Sequence, residues 1–151
     1  MIRKIYQEDS KVFLQMVQEF YDSPAVLHPV QSENFKKTLQ AALDNSPYLR
    51  IYLIEEDEKP AGYCQLSISW SNEAGGIVVW VEELYIRPEF QGKGLGGKCL
   101  QFICDEFPDA ARLRLEISPD NDGAKRLYQR NGYEILDYVQ MINDIKDSGR
   151  N

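Results

Sequence analysis

Two rhythms of apolar positions run along this chain. Val12, Phe13, Met16, Val17, Phe20 and Tyr21 share one face of a helix, which Ser23-Pro24 ends. Phe35, Leu39, Ala42 and Leu43 predict a second helix, with Ser32 as its N-cap and Glu33 in its first turn. Residues 2–6, 48–55 and 61–70 read as strands, the last two joined by the polar turn Glu56-Asp57-Glu58-Lys59. Residues 77–86 are almost wholly apolar, interrupted only by Glu82 and Glu83, as in a strand covered on both faces. Leu95, Cys99, Phe102, Ile103 and Phe107 make a helical stripe that stops before Pro108. Leu113, Leu115 and Ile117 alternate as a strand. Residues 121–131 form a short helix ended by Gly132, and residues 133–145 hold one or two closing strands.

The order is strand, two helices, two strands, then strand–loop–helix–strand, then helix and strand. The strand–helix–strand unit is a right-handed parallel crossover, and the other pairings are antiparallel. The fold class is therefore α+β with a mixed sheet. Residues 1–151 contain no repeat, linker or low-complexity tract and form a single domain.

Composition narrows the partners. The net charge is −7, with Asp+Glu 24 against Lys+Arg 17. That balance lacks the basic surface of a nucleic-acid or anionic-membrane binder and suits a cationic partner. No apolar run reaches the ~18 residues of a membrane span, and the N-terminal segment lacks a signal-peptide core. Three cysteines, Cys64, Cys99 and Cys104, without a secretion signal point to reduced thiols in a cytoplasm. With His28 the only histidine, no metal site is expected.

The chemistry concentrates in residues 82–97, Glu-Glu-Leu-Tyr-Ile-Arg-Pro-Glu-Phe-Gln-Gly-Lys-Gly-Leu-Gly-Gly. Glycines bring backbone N–H groups close to a ligand, and the helix that starts at Leu95 points its unpaired donors the same way. Such a turn binds phosphate. Three signatures fit it. Gly92-x-Gly94-x-x-Gly97 matches a dinucleotide fingerprint, with Glu116 about twenty residues on. Gly92 to Gly97-Lys98 approaches a P-loop, but Cys99 stands where Ser or Thr must hold magnesium. Gln91-x-x-Gly94-x-Gly96 matches the acyl-CoA pyrophosphate loop. The dinucleotide reading needs further parallel strands, and only about fifty residues follow. The acyl-CoA reading gains a second motif downstream, Asn121-x-x-Ala124-x-x-Leu127-Tyr128-x-x-Asn131-Gly132-Tyr133.

Through these two motifs the chain resembles the GNAT superfamily of acyl-CoA-dependent N-acyltransferases. The resemblance implies a mostly antiparallel sheet of six to seven strands, a central splayed parallel pair and helices on both faces. It implies acetyl-CoA as co-substrate and acetyl transfer to a primary amine by direct attack in a ternary complex. The pyrophosphate would sit on Gln91, Gly92, Lys93, Gly94, Leu95, Gly96 and Gly97. Leu84, Tyr85 and Ile86 would offer backbone groups to the pantetheine arm, with Asn121 and Lys125 beside it. Tyr128 would both touch the cofactor and protonate the departing thiolate. A homodimer is an open assembly for such a chain. A nicotinamide-dinucleotide oxidoreductase and a non-catalytic acyl-CoA sensor are the alternatives.

Glu82 and Glu83 interrupt an apolar strand, where a buried carboxylate is costly unless paired or useful. Adjacent strand residues point oppositely, so one of the pair faces a core or cleft. A desolvated carboxylate gains basicity and can deprotonate an ammonium. The resemblance puts Glu82 first as base and Glu83 second. Tyr21, His28 and Glu82 are the candidate acceptor contacts, with Tyr63, Trp70 and Trp80 as further aromatics that packing alone would also explain. A polyamine, an aminoglycoside and a peptide N-terminus are all open as acceptors.

Overall fold

A computed structural model describes residues 1–145 of the chain. Five strands form among them: β1 (Ile2–Lys4), β2 (Leu49–Glu56), β3 (Lys59–Ser71), β4 (Gly76–Ile86) and β5 (Arg112–Leu115). They make one sheet in the order β1-β2-β3-β4-β5. The first three pairings are antiparallel, and β4 pairs β5 in parallel. The helices are α1 (Ser10–Tyr21), α2 (Ser32–Leu43), α3 (Leu95–Glu106) and α4 (Asp122–Arg130).

Strand β2 explains why both faces need cover. Ile51, Tyr52, Leu53 and Ile54 are all buried, and strand alternation sends them two ways. Ile51 and Leu53 pack with Phe13, Met16 and Val17 of α1 and with Phe35 and Leu39 of α2. Tyr52 and Ile54 pack with Leu95, Cys99, Leu100 and Ile103 of α3, and α4 adds Leu127 and Tyr128 to that layer. Each large side chain buried in this way contributes ~1.5–3 kcal/mol, which outweighs the intrinsic preferences of twelve-residue helices.

Three expectations are corrected. The described residues hold five strands, not six or seven, because residues 133–145 form none. Their backbone hydrogen bonds are local, as from the Tyr138 N–H to the Leu136 carbonyl at 2.9 Å, so no ladder joins them to β5. Consequently the parallel pair lies at an edge of the described sheet, not at its centre. Ser32 is the first residue of α2, Gln31 occupies the cap position, and no side chain bonds there. With a single parallel pairing, the sheet is not the doubly wound architecture that a dinucleotide fingerprint requires.

Candidate active site

The site begins with one extra residue. In the β3–β4 ladder Gln65 pairs Glu83 and Leu66 pairs Val81, so Glu82 is a β-bulge. Before the bulge, Val79 and Val81 face the α3 layer. Normal alternation would send Glu83 there too. The bulge reverses the parity, so that Leu84 and Ile86 join the α3 layer while Glu83 and Tyr85 face α1 and α2.

Glu83 stands against a cavity of about 270 Å³ between α1, α2 and the sheet. Tyr63 donates its hydroxyl to Glu83 Oε2 at 2.6 Å, and Tyr21 donates to Oε1 at 2.9 Å. Burial pushes the Glu83 carboxyl above its ordinary value of 4.5, against the two phenol donors, and the neighbouring Glu82 adds to the rise. Desolvation therefore wins over two charge-assisted hydrogen bonds, leaving a carboxylate with enhanced basicity. Burial and the adjacent Glu83 raise both tyrosines in turn, so each remains a protonated donor. Glu82 is exposed and accepts the Ser67 hydroxyl at 2.6 Å. The structure thus brings Glu83 and Tyr21 to the cavity, while Glu82 lies outside its wall.

Beyond the bulge the two parallel strands part. The β4–β5 ladder runs from Val78–Arg112 to Val81–Leu115 and stops, whereas the β3–β4 ladder continues to Ile86. The Arg87 N–H bonds the Ala61 carbonyl, so alternation turns the backbone groups of Leu84 and Ile86 away from β3, toward the gap. One of these groups is already engaged: Gln91 Nε2 donates to the Ile86 carbonyl at 3.0 Å. Gln91 is therefore placed to close the loop rather than to reach outward. Tyr85 turns its side chain the other way and donates to Glu19 at 3.2 Å.

The loop itself suits an anion. Gly92 and Gly94 both have φ 75°, a left-handed conformation that side chains resist, and the space where their Cβ atoms would stand is open. Gly94 caps α3 with no side-chain hydrogen bond, so the first N–H groups of Leu95, Gly96 and Gly97 have no side-chain acceptor at the positive end of the helix. These features fit a pyrophosphate. Lys93 lies over the Phe90 ring at 5.3 Å. Arg87, just before the loop, is clamped by Glu19 at 3.0 Å and also bonds the Pro60 carbonyl.

On the α3 side, Asn121 caps α4, its side chain accepting from the Ala124 N–H at 3.1 Å. Tyr128 and Lys125 line a second cavity, of about 570 Å³, between β5, α4 and the segment after Gly132. Burial pushes the Tyr128 phenol up to about 12, which keeps it protonated. Tyr133, whose ring centroid lies 5.8 Å from that of Tyr128, carries a buried hydroxyl with no partner among the described residues. The glycine loop lines neither cavity. Glu83 and Tyr128 therefore lie on opposite faces of the sheet.

Other candidates fall elsewhere. His28 is exposed and outside both cavities. Trp70 is exposed, and Trp80 stacks beneath Arg114 at 4.3 Å. Asn34, Thr38 and Gln65, which line the Glu83 cavity, were not legible as site residues. Their one signal is the polar i, i+4 pair Asn34–Thr38 beside an apolar stripe, which any solvated helix edge also shows. Among the described residues no group of His, Cys, Asp or Glu side chains is placed to hold a metal ion, and no helix is long and apolar enough to cross a membrane.

Comparison with known proteins agrees with this architecture. The family model described as Acetyltransferase (GNAT) family matches residues 11–133. A putative [ribosomal protein bS18]-alanine N-acetyltransferase of Bacillus subtilis is 30% identical over 102 residues, covering 66% of this chain and 63% of its own. The chain spans about half to two thirds of the length of this and another of the first curated relatives it matches. An integron cassette protein from the mobile metagenome of Cole Harbour Salt Marsh superposes with TM-score 0.78 at 26% identity, covering 95% of this chain and 90% of that one. AAC(6')-Iy, solved with the bisubstrate analogue CoA-S-monomethyl-acetylneamine, shares the fold with TM-score 0.79 at 15% identity, covering 95% of this chain and 97% of its own. The chain belongs to the GNAT acetyltransferase family.

Proposed function

From its place in that family we infer that this protein transfers an acetyl group from acetyl-CoA to a primary amine, by direct attack in a ternary complex. The observation that carries the reading is Glu83, a desolvated carboxylate next to the point where β4 leaves β5. Bound acetyl-CoA supplies the acetyl thioester. The N–H groups at the start of α3 would hold its pyrophosphate, and the open backbone of Leu84 would bond its arm. Glu83 takes the proton from the incoming ammonium, freeing the lone pair that attacks. Tyr128 donates its phenolic proton to the thiolate as it departs. The relative named a putative [ribosomal protein bS18]-alanine N-acetyltransferase supports an amine acceptor. Three free cysteines support a reducing cytoplasmic location. A homodimer remains part of this reading, and light scattering measures it directly.

Thermal melting and thiol release test the proposal together. CoA at a hundredfold excess over its Kd should stabilise the fold by ~2.7 kcal/mol, while NAD should not. An amine library with acetyl-CoA should yield free CoA thiol. Stabilisation by CoA with no thiol release for any amine would favour the sensor, and stabilisation by NAD alone would favour the oxidoreductase.

A further inference from the structure

Resting on the acetyl-transfer reading, we infer that the cavity at Glu83 takes a compact arylalkyl monoamine, with its ammonium at Glu83 and its flat body between α1 and α2. Polyamines are excluded from good binding there.

Size comes first. At about 270 Å³ the cavity falls just under the ~300–1,000 Å³ of typical small-molecule sites, which suits a single ring and a short chain. Its walls are the second point. Phe13, Val17 and Tyr21 come from successive turns of α1, and Phe35 comes from α2. The Tyr21 and Phe35 rings lie with centroids 4.9 Å apart, and Phe13 meets Tyr63 edge-on at 5.2 Å. An aromatic body gains most from such a lining.

Charge decides between one ammonium and several. Among the described residues, Glu83 is the only charged residue in the lining. The remaining polar groups, Tyr21, Asn34, Thr38 and Gln65, are neutral, and Asn34 is exposed at the mouth. A second ammonium would lose its hydration against amides and a hydroxyl, with no carboxylate to offset the loss. Glu82 offers none, because it lies outside the wall and holds Ser67. The same amides suit a neutral hydroxyl on the far end of a ring.

Calorimetry with phenethylamine, tyramine and spermidine tests this on the full chain, beside thiol release with acetyl-CoA. Tyramine should bind at least about tenfold more tightly than spermidine. Asn34→Asp, a surface change at the mouth, should raise spermidine affinity by at least about fivefold by adding the missing second carboxylate. Spermidine binding to the wild type as tightly as tyramine would overturn the inference, whether or not it is acetylated. Preferential tyramine binding without thiol release would leave the inference standing and sink the transfer reading instead.

Discussion

The Glu83 carboxylate accepts a 2.6 Å hydrogen bond from the Tyr63 hydroxyl, across two strands and on the α1 side of the sheet. Tyr63 is completely buried, so this contact anchors Glu83 from below while Tyr21 reaches it from the cavity rim. The pair exists only because the bulge at Glu82 turns Glu83 out of the α3 layer.

Removing the charge at Glu83 should separate activity from stability. Glu83→Gln should lower kcat/KM at neutral pH by ~10²–10⁴ and recover at high pH, where the amine is already neutral. Because burial raises the Glu83 pKa in the fold, protonated Glu83 favours folding below the unfolded value, and that benefit is lost as pH rises through the folded value. The neutral variant should therefore melt no lower than wild type at pH 7. Glu82→Gln should change the rate by less than about threefold, given its exposure. A crippled Glu82→Gln beside a healthy Glu83→Gln would reverse the assignment.

Tyr63→Phe should move the pH profile. The lost hydroxyl favoured the ionised carboxylate, so the Glu83 pKa should rise further. The acidic limb of kcat/KM, already expected above 4.5, should shift to higher pH, while the plateau changes less. A limb that stays in place would mean that another group titrates.

Tyr128→Phe keeps the ring and removes the hydroxyl. As general acid its loss should cost ~10²–10⁴ in kcat. CoA affinity, read by calorimetry, should hold. Unaltered turnover would reduce Tyr128 to packing against Tyr133.

Gly62→Ala probes the splay from behind. A methyl at Gly62 would overlap the Tyr85 carbonyl oxygen and approach Ile86 Cα at 3.1 Å, both backbone atoms of β4. Overpacking of this kind costs ~1–3 kcal/mol, read as a lower melting temperature. Since the displaced backbone borders the gap beside β5, KM for acetyl-CoA should rise as well. A variant as stable as wild type, with an unchanged KM, would show that β4 yields here at no cost.

The sequence alone determined the helices, the crossover and the glycine-rich turn that leads into α3. Each rests on local periodicity or on glycines whose conformations few other residues adopt, as Gly92 and Gly94 show. It also singled out Glu82 and Glu83, because two carboxylates in an apolar strand stand out in any register. Which of them faces the cavity was beyond it. Period-two alternation assumes an unbroken ladder, and the extra residue is visible only where Gln65 and Leu66 meet Glu83 and Val81. Distance along the chain hid the rest. Arg87 finds Glu19, Glu83 finds Tyr21, and Asn34 and Thr38 come to line one cavity with Gln65 only after α1 and α2 settle on the sheet. Residues 133–145 have the composition of a strand, but whether a segment joins a ladder depends on its partner as well as its own residues: here the Tyr138 N–H turns to the Leu136 carbonyl instead.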